Sequence, residues 1–365
     1  MNRSSVMSFL SSILVLLVGL LIGFVILLVS NSAGAVNAFT TILTHGAGSM
    51  RVFGNVLLHA TPIILTGLSV AFAFKTGLFN IGATGQFTLG AFAAVFITIE
   101  FTFLPPPIRI LTAVLAAAVV GALWGAIPGL LKAYRNVHEV ISCIMTNYIA
   151  MFFVNYMVIN FTFDSGQGRS FPPPVDSRLP SLGLENIFRT GARSSNVDVG
   201  IIIAIIIAIV IYIILEKTTF GYELKACGFN KDAAKYAGIN GNKNIVMSMM
   251  ISGGLAGIGG ALAYIGGMGV TLNIVDVLLP YGFTGISVAF LGLNHPIGVI
   301  FSGVLISYLT MGGTQIQPDG FSPEFVDIVI AVIIYFCAFV FLVKTVLEKY
   351  SDRIFKSKKD GGKAV

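Results

Sequence analysis

The chain has 365 residues, of which 56% are hydrophobic and only 10% are charged, and its mean hydropathy is +0.90. Soluble domains carry about 25% charged residues, so this composition excludes a soluble globular protein and predicts an integral membrane protein. The formal net charge of +6 does not indicate a nucleic-acid partner, because the lysines lie in short loops and in the tail at residues 344–365, where basic residues signal membrane topology.

Apolar runs between polar or Pro/Gly breaks predict an all-α polytopic protein with about ten membrane-spanning helices. These runs lie at residues 8–29, 53–74, 79–98, 108–131, 140–161, 199–215, 245–267, 280–293, 296–311 and 325–343. The first run is longer than the roughly 7–15 residues of a signal-peptide core, so we expect it to stay as an uncleaved helix. Residues 1–365 are therefore predicted to form one transmembrane domain.

Basic residues predict the orientation of these spans. With the N-terminus in the cytoplasm, Lys75, the turn at 132–135, the loop 216–244 and the basic tail 344–365 all lie on the cytoplasmic side, as the positive-inside rule requires. The long loop at 162–198 is then extracytoplasmic, and its arginines are balanced by acidic residues. Both termini are predicted to be cytoplasmic.

Two segments of the chain match each other. TGLSVAF at residues 66–72 and TGISVAF at residues 284–290 differ at one position, and each is followed by an asparagine at a break in the apolar run, Asn80 and Asn294. Paired interruptions at corresponding places predict an internal repeat with a transport site between its halves. Alternatively, the motif is only a small-residue packing face of the kind common in membrane helices.

The stretch GLFNIGATGQFTLG at residues 77–90 is polar and rich in glycine where an uninterrupted span is expected. Such a backbone is tolerated at membrane depth only if it is buried in protein or lines a cavity. Its amide and hydroxyl groups suit a neutral substrate, and its phenylalanines can offer ring faces. The alternative is that these polar groups link helices to one another. We expect the substrate pathway to contain Phe79, Asn80, Thr84, Gln86, Asn147 and Asn294.

The loop 216–244 contains the signals of a short helix. Asn230 can cap its start, Asp232 suits the first turn, Lys235 suits the last turn, and Gly238 suits a left-handed stop. The sequence therefore predicts a compact helix that is presented to the cytoplasm.

Several chemistries have no motif in this chain. No G-x-x-x-x-G-K-[ST] sequence occurs, so we expect no ATP or other cofactor to be bound by this chain. The histidines and the three cysteines lack metal-ligand spacing, and no acid/base pair indicates an enzyme. Acidic residues avoid the span centres, which disfavours an ion-coupled secondary carrier. Energy for transport would then come from another subunit.

Three blocks of residues, 77–90, 123–150 (LWGAIPGLLKAYRNVHEVISCIMTNYIA) and 221–239 (GYELKACGFNKDAAKYAGI), resemble permease subunits of ABC importers. The chain is most similar to the branched-chain amino acid and ribose permease superfamily, and within it to the nucleoside, or simple-sugar, branch. The resemblance covers nearly the whole chain except its first 50 or so residues and its tail.

This resemblance implies that the third block docks on an ATPase. The implied ATPase-coupling residues are Gly221, Lys225, Gly228, Asn230, Asp232, Ala233, Ala234, Tyr236 and Gly238. It also implies a multi-pass protein of the bacterial plasma membrane, surrounded by lipid, that assembles with a partner ATPase using ATP and Mg²⁺, a second permease subunit and an extracytoplasmic substrate-binding lipoprotein.

The function predicted from these observations is a permease subunit that forms a translocation pathway for nucleosides. An ABC permease for ribose or another simple sugar is the alternative, because neutral amides and aromatic rings serve either ligand. An ion-coupled secondary carrier is a further, less favoured alternative, and it would need no partner ATPase. Nucleosides carry a flat base, so aromatic stacking should matter more for them than for a free sugar.

Overall fold

Helices account for nearly all secondary structure in the computed structural model, which describes residues 3–267, 269–337, 339–347 and 349. The first helices of the chain are α1 (Arg3–Ser30), α2 (Ala35–Thr44), α3 (Met50–Lys75), α4 (Ala83–Glu100), α5 (Pro106–Arg135), α6 (Glu139–Met157) and α7 (Leu184–Ile187). They are followed by α8 (Gly200–Lys217), α9 (Thr219–Phe229), α10 (Lys231–Tyr236), α11 (Gly241–Tyr264), α12 (Tyr281–Leu291), α13 (Pro296–Gly313) and α14 (Pro323–Cys337).

Nine helices in the described part of the chain are long and apolar enough to cross a membrane. The prediction of ten is wrong at the eighth run, 280–293, because α12 has only 11 residues. At 1.5 Å per residue such a helix is about 16 Å long, roughly half the thickness of a bilayer core. Leu293 and Asn294 end it in the left-handed region, with φ of 56° and 53°. The orientation and the internal repeat stay predictions, and the tail 344–365 lies mostly outside the described residues.

Helix α11 lies at the centre of the bundle and packs against α3, α4 and α5. Its glycines make this possible, since a Cβ at Gly253 would collide with the carbonyl oxygen of Gly121 on α5, and one at Gly260 with that of Phe87 on α4. Small residues let helix backbones approach closely in membranes, where apolar burial alone does not hold helices together. The glycine-rich run thus determines which helix occupies the centre.

The two matching segments face each other in the bundle. A Cβ at Gly67 of α3 would lie 2.7 Å from Val288 Cγ1 of α12, and a Cβ at Gly285 of α12 would lie 2.8 Å from Thr66 Cβ of α3. Each glycine therefore admits a side chain of the other segment. This reciprocal contact brings the two interrupted segments into one part of the molecule.

The loop between α6 and α8 is ordered by small elements. A short π-helix, Val158–Thr162, ends α6, and the loop adds the two-stranded antiparallel pairs β1 (Phe163–Asp164) with β2 (Arg169–Ser170) and β3 (Arg189–Thr190) with β4 (Arg193–Ser194). These four strands depart from the all-α prediction only locally. They lie in the loop outside the apolar spans, where backbone N–H and C=O groups of the loop form hydrogen bonds with one another.

Side chains fasten this loop to the bundle. The Asp198 carboxylate accepts hydrogen bonds from the backbone N–H groups of Gly200 and Gly267, each at 2.8 Å, and Arg109 of α5 forms an ion pair with Asp176 at 2.6 Å. Asp198 is nearly fully buried, and burial raises its pKa, although the two N–H groups oppose the shift. The loop and the segment after α11 therefore form a common cap.

Candidate translocation site and coupling surface

The connection between α3 and α4 is a non-helical break inside the protein. Gly77 has a φ of +72°, a backbone conformation that glycine adopts without strain, and the chain then turns back so that Asn80 is fully buried. Residues 83–92 at the start of α4 are buried as well. The polar stretch predicted at 77–90 is thus surrounded by other helices.

Asn80 is the centre of a polar network that joins three helices. Its Nδ2 donates to Gln86 Oε1 at 2.8 Å and to Ser252 Oγ at 2.6 Å, and Gln86 Nε2 donates back to Asn80 Oδ1 at 3.3 Å. Ser252 of α11 in turn donates to the backbone carbonyl of Ser69 on α3 at 2.7 Å. Buried amides of this kind satisfy one another, so the network holds the break in a defined shape.

Asn147 of α6 holds the other side of the same break. Its Oδ1 accepts a hydrogen bond from the backbone N–H of Gly85 at 2.8 Å, and its Nδ2 donates to the carbonyl oxygen of Ile81 at 3.0 Å. Both backbone groups lie at the start of α4, where hydrogen bonds within the helix do not satisfy every N–H and C=O group. One side chain therefore provides a partner for a free donor and a free acceptor.

Aromatic pairs connect this region to α12. Phe79 stacks on Phe290 with ring centroids 6.0 Å apart, and Phe87 stacks on Tyr281 at 4.8 Å. The predicted ring faces are therefore occupied by protein partners in this conformation. Opening either pair would expose a flat apolar surface next to neutral hydrogen-bonding groups.

Two predicted pathway residues have polar atoms without a hydrogen bond to any described residue. They are Thr84 Oγ1 and Asn294 Oδ1, both buried. Thr84 lies in the first turn of α4, and a Cβ at Gly282 of α12 would collide with it. Asn294 lies at the second break, after α12. The two interruptions thus each carry one buried polar atom that can accept a ligand contact.

The structure brings Asn80, Gln86 and Asn147 together around the first break and leaves Asn294 at the second. In the described contacts the amides link helices, which is the alternative considered above, and substrate contact stays a prediction. Sequence reasoning missed Ser69 and Ser252. The signal was available, because Ser248 and Ser252 are four residues apart on one face of α11, and Ser248 accepts a hydrogen bond from Thr76 at 2.8 Å.

The loop 216–244 forms the predicted helix and one more. Asn230 caps α10 by accepting hydrogen bonds from the N–H groups of Asp232 and Ala233 at 3.0 and 2.9 Å, and Gly238 follows with a φ of +81°. Helix α9 precedes it and is capped by Thr218, whose hydroxyl accepts from the Gly221 N–H at 3.1 Å. Together α9 and α10 form a helical hairpin, which we call the coupling hairpin.

The coupling hairpin exposes large aromatic side chains. Phe229 is 90% exposed, Tyr236 96% and Tyr222 69%, and a groove of about 450 Å³ lies between the two helices. Of the residues implied to dock on an ATPase, Gly221 and Ala234 are buried and Lys225 is half-buried. The others are exposed, namely Gly228, Asn230, Asp232, Ala233, Tyr236 and Gly238. Phe229 and Tyr222 were not predicted. Exposed aromatic residues in a polar loop are typical of a protein interface.

The coupling hairpin also contacts the first break directly. A Cβ at Gly228 would collide with the Lys75 carbonyl oxygen and lie 3.0 Å from the Gly77 N atom. Lys225 of α9 forms an ion pair with Glu216 at 3.0 Å, which fixes α9 against the end of α8. The backbones of the hairpin and the break are therefore in contact.

No group of three or more metal-ligating side chains occurs among the residues that the structure describes.

Comparison with known proteins identifies the family of the chain. Residues 52–338 match the family described as the permease component of the branched-chain amino acid transport system. No solved structure matches the chain significantly.

Three relatives are similar over most of their length. The guanosine ABC transporter permease protein NupP of Bacillus subtilis is 39% identical over 93% of this chain and 96% of its own. The nucleoside ABC transporter permease protein NupB of Lactococcus lactis is 36% identical over 92% and 93%. The glucose ABC transporter permease protein TsgB13 of Haloferax volcanii is 30% identical over 89% and 85%.

The apolar helices, the buried break and the exposed hairpin define a multi-pass membrane protein of the transporter class. By its match over residues 52–338, the chain belongs to the permease component family of the branched-chain amino acid transport system. The resemblance inferred from the three sequence blocks is confirmed. The chain is a transport subunit of an ABC transporter in the plasma membrane and not an enzyme.

Proposed function

We propose that this chain forms half of the translocation pathway of an ATP-driven importer for nucleosides. The observation that carries the proposal is the identity of 36–39% to permease proteins named for guanosine and nucleosides, across more than nine tenths of each chain. We expect relatives with this degree of similarity to share a substrate class, because the aligned region includes both interrupted segments and the helices around them.

The chemistry of the buried break suits a neutral, flat ligand. Asn80 and Gln86 offer donors and acceptors without charge, and Phe79 and Phe87 have stacking partners on α12 that a nucleobase could replace. We infer that substrate passes when α12 moves away from α4. Thr84 and Asn294 then contact the ligand with the polar atoms that lack a partner in the described conformation.

Energy enters through the coupling hairpin. We infer that its exposed aromatic residues dock on a partner ATPase, which binds ATP and Mg²⁺, and that the loop lies in the cytoplasm as the positive-inside rule predicts. Closure of the ATPase would push α9, and the backbone contact between Gly228 and Gly77 would carry that movement to the Asn80 network. Helix α11, which begins after the hairpin and carries Ser252, would move with it.

The remaining partners follow from the same proposal. A second permease subunit completes the pathway, and a substrate-binding lipoprotein delivers the ligand to the extracytoplasmic side. Its docking site is the cap formed by the loop 162–198, because Asp198 and Arg109 fasten this loop to the bundle. A rigid cap can pass the force of docking on to the helices.

Uptake of labelled guanosine and uridine tests the substrate. We expect uptake in cells with the intact transporter, loss of uptake when this chain is deleted, and restoration by the chain supplied on a plasmid. Excess unlabelled ribose should leave uptake unchanged. Nucleoside uptake that is independent of this chain would overturn the proposal.

A simple sugar is the second candidate, and the relative named for glucose favours it. In that case ribose or glucose would abolish the chain-dependent uptake, or labelled sugar would accumulate in place of the nucleoside. Replacement of Phe87 by Leu separates the two candidates further. Loss of ring stacking should weaken nucleoside uptake strongly and sugar uptake little.

A further inference from the structure

A second cavity, separate from the buried break, lies between α1, the end of α3, the α12–α13 connection with the start of α13, and the helical residues 340–347 that follow α14. Its volume is about 590 Å³. We call it the basic groove because Lys75, His295 and Lys344 line it. It lies at the same end of the bundle as the coupling hairpin, since the backbone of Lys75 is in contact with Gly228.

The charged residues of the basic groove lie at one end, and the apolar residues lie deeper. His295 immediately precedes α13, whereas Leu305 is ten residues further along it, about 15 Å away at the helical rise. In the helical residues 340–347, which follow α14, Lys344 is one turn beyond Phe341, and on α1, Ile13 and Leu16 continue the apolar wall. The groove is therefore charged at one end and apolar at the other, along the direction of the helix axes.

The groove is open towards the membrane. Phe301 on its wall is 73% exposed and Ile13 is 37% exposed, so side chains at its edge face lipid. Neither Lys75 nor Lys344 forms an ion pair with a described residue. Glu216 interacts electrostatically with Lys75, but its carboxylate pairs with Lys225 at 3.0 Å. The groove therefore offers positive charge at its mouth.

We propose that the basic groove binds an anionic phospholipid of the cytoplasmic leaflet, with the phosphate between Lys75 and Lys344 and an acyl chain along Leu16, Phe301 and Leu305. Basic pockets between membrane helices on the cytoplasmic side recognise such head groups. A nucleoside fits less well, because its polar groups would face the deeper apolar wall. The bound lipid would brace α1 and the helical residues 340–347 against the second break at Gly292 and Leu293.

Lipid titration of the purified, delipidated transporter tests this assignment, with native mass spectrometry to count bound lipids. Phosphatidylglycerol and phosphatidylcholine with identical acyl chains are compared. We expect preferential binding of phosphatidylglycerol, and its affinity should fall about fivefold for each of Lys75→Gln and Lys344→Gln. Phosphatidylcholine binding should not change. Lys217→Gln is the matched control, because this lysine is exposed at the same end of the bundle but does not line the groove.

A second variant keeps both charges and fills the apolar wall. Ile13→Trp should also reduce phosphatidylglycerol binding, and inorganic phosphate at the same concentration should not compete. The proposal is overturned if the lysine variants bind phosphatidylglycerol as the unmodified chain does. It is also overturned if free phosphate displaces the lipid, or if guanosine does, since the groove would then take an inorganic anion or belong to the substrate pathway.

Discussion

At the scale of single residues, the amides around the first break have two roles, because some bond to other side chains and one bonds to the backbone. Asn80 and Gln86 satisfy each other and Ser252, while Asn147 satisfies backbone groups of Gly85 and Ile81. A buried polar group costs free energy unless it is paired, so each amide stabilises the break only while its partners stay in place. Under the proposed function, the same groups would exchange these partners for a ligand when the break opens.

The Asn147 side chain offers a direct test of this role. Asn147→Ala leaves a buried donor and a buried acceptor without partners, and we expect the protein to lose about 1–3 kcal/mol of stability. The unfolding midpoint in detergent, followed by scanning fluorimetry, measures the loss. Asn160→Ala is the control, because Asn160 is exposed and donates only to the Tyr156 carbonyl of its own helix. Equal midpoints for the two variants would contradict the role assigned to Asn147.

At the scale of elements, close backbone contacts decide how helices are arranged and how they are coupled. Helix α11 lies against α5 through Gly253 and Gly121, and α9 lies against the first break through Gly228. Neither contact can accommodate a Cβ without a shift of backbone. Both contacts can therefore be tested by adding a single methyl group.

The packing of α11 on α5 should be sensitive to Gly253→Ala. The new Cβ would collide with the Gly121 carbonyl and lie 3.1 Å from Gly125 Cα, and overpacking of this kind costs about 1–3 kcal/mol. Gly254→Ala is the neighbouring control, since its nearest atoms would be 3.3 and 3.7 Å away. We expect a lower unfolding midpoint for the first variant only. A loss of the same size in both would mean that helix flexibility, and not the contact with α5, is responsible.

Coupling should be sensitive to Gly228→Ala. Because the methyl group would separate α9 from the Lys75 carbonyl, we expect nucleoside uptake to fall several-fold while the amount of transporter in the membrane and its ATPase content stay the same. Uptake and co-purified ATPase are measured in the same preparations. Gly166→Ala in the loop 162–198 is the control, where the nearest atom is a movable carboxylate oxygen of Asp164 at 3.3 Å. Unchanged uptake in the Gly228 variant would remove this contact from the coupling route.

At the scale of the whole molecule, the two ends of the bundle are built differently. One end carries the exposed coupling hairpin, and the other carries a cap in which Asp198 joins the loop 162–198 to the segment after α11. The centre is held by α11, which begins after the hairpin and ends next to the cap. A single helix therefore connects the two ends of the bundle.

The cap should give the protein a pH-dependent stability. Burial raises the pKa of Asp198, so the folded chain binds this proton more tightly than the unfolded chain does. The contribution of this proton to stability is therefore present below the ordinary carboxyl pKa of about 3.9 and is lost as the pH rises through the higher pKa of the folded chain. We expect Asp198→Ala to remove this component and to lower the midpoint at every pH, because two buried N–H groups lose their acceptor.

Midpoints measured from acidic to neutral pH check this expectation. Asp164→Ala is the control, since Asp164 accepts a hydrogen bond only within its own exposed turn. An identical pH profile for the Asp198 variant and the unmodified chain would show that this carboxyl group does not titrate as its burial requires.

Much of this protein follows from its sequence alone. Composition and apolar runs predict a membrane protein with nearly the right number of spans, because the bilayer requires about 20 apolar residues for each crossing. The α10 helix is also predicted well, since Asn230 and Gly238 act on backbone within a few residues of themselves. The three sequence blocks identify the family for the same reason, because each is a continuous stretch.

Tertiary structure alone decided the rest. Asn80 and Ser252 are 172 positions apart, and no local pattern reveals that they share a hydrogen bond. The apolar run at 280–293 is long enough to suggest a span, yet α12 ends at Leu291 because the backbone turns there into the second break. Side-chain periodicity indicates which face of a helix is apolar, but only the packing around α11 determines which polar groups meet and where an apolar run stops being helical.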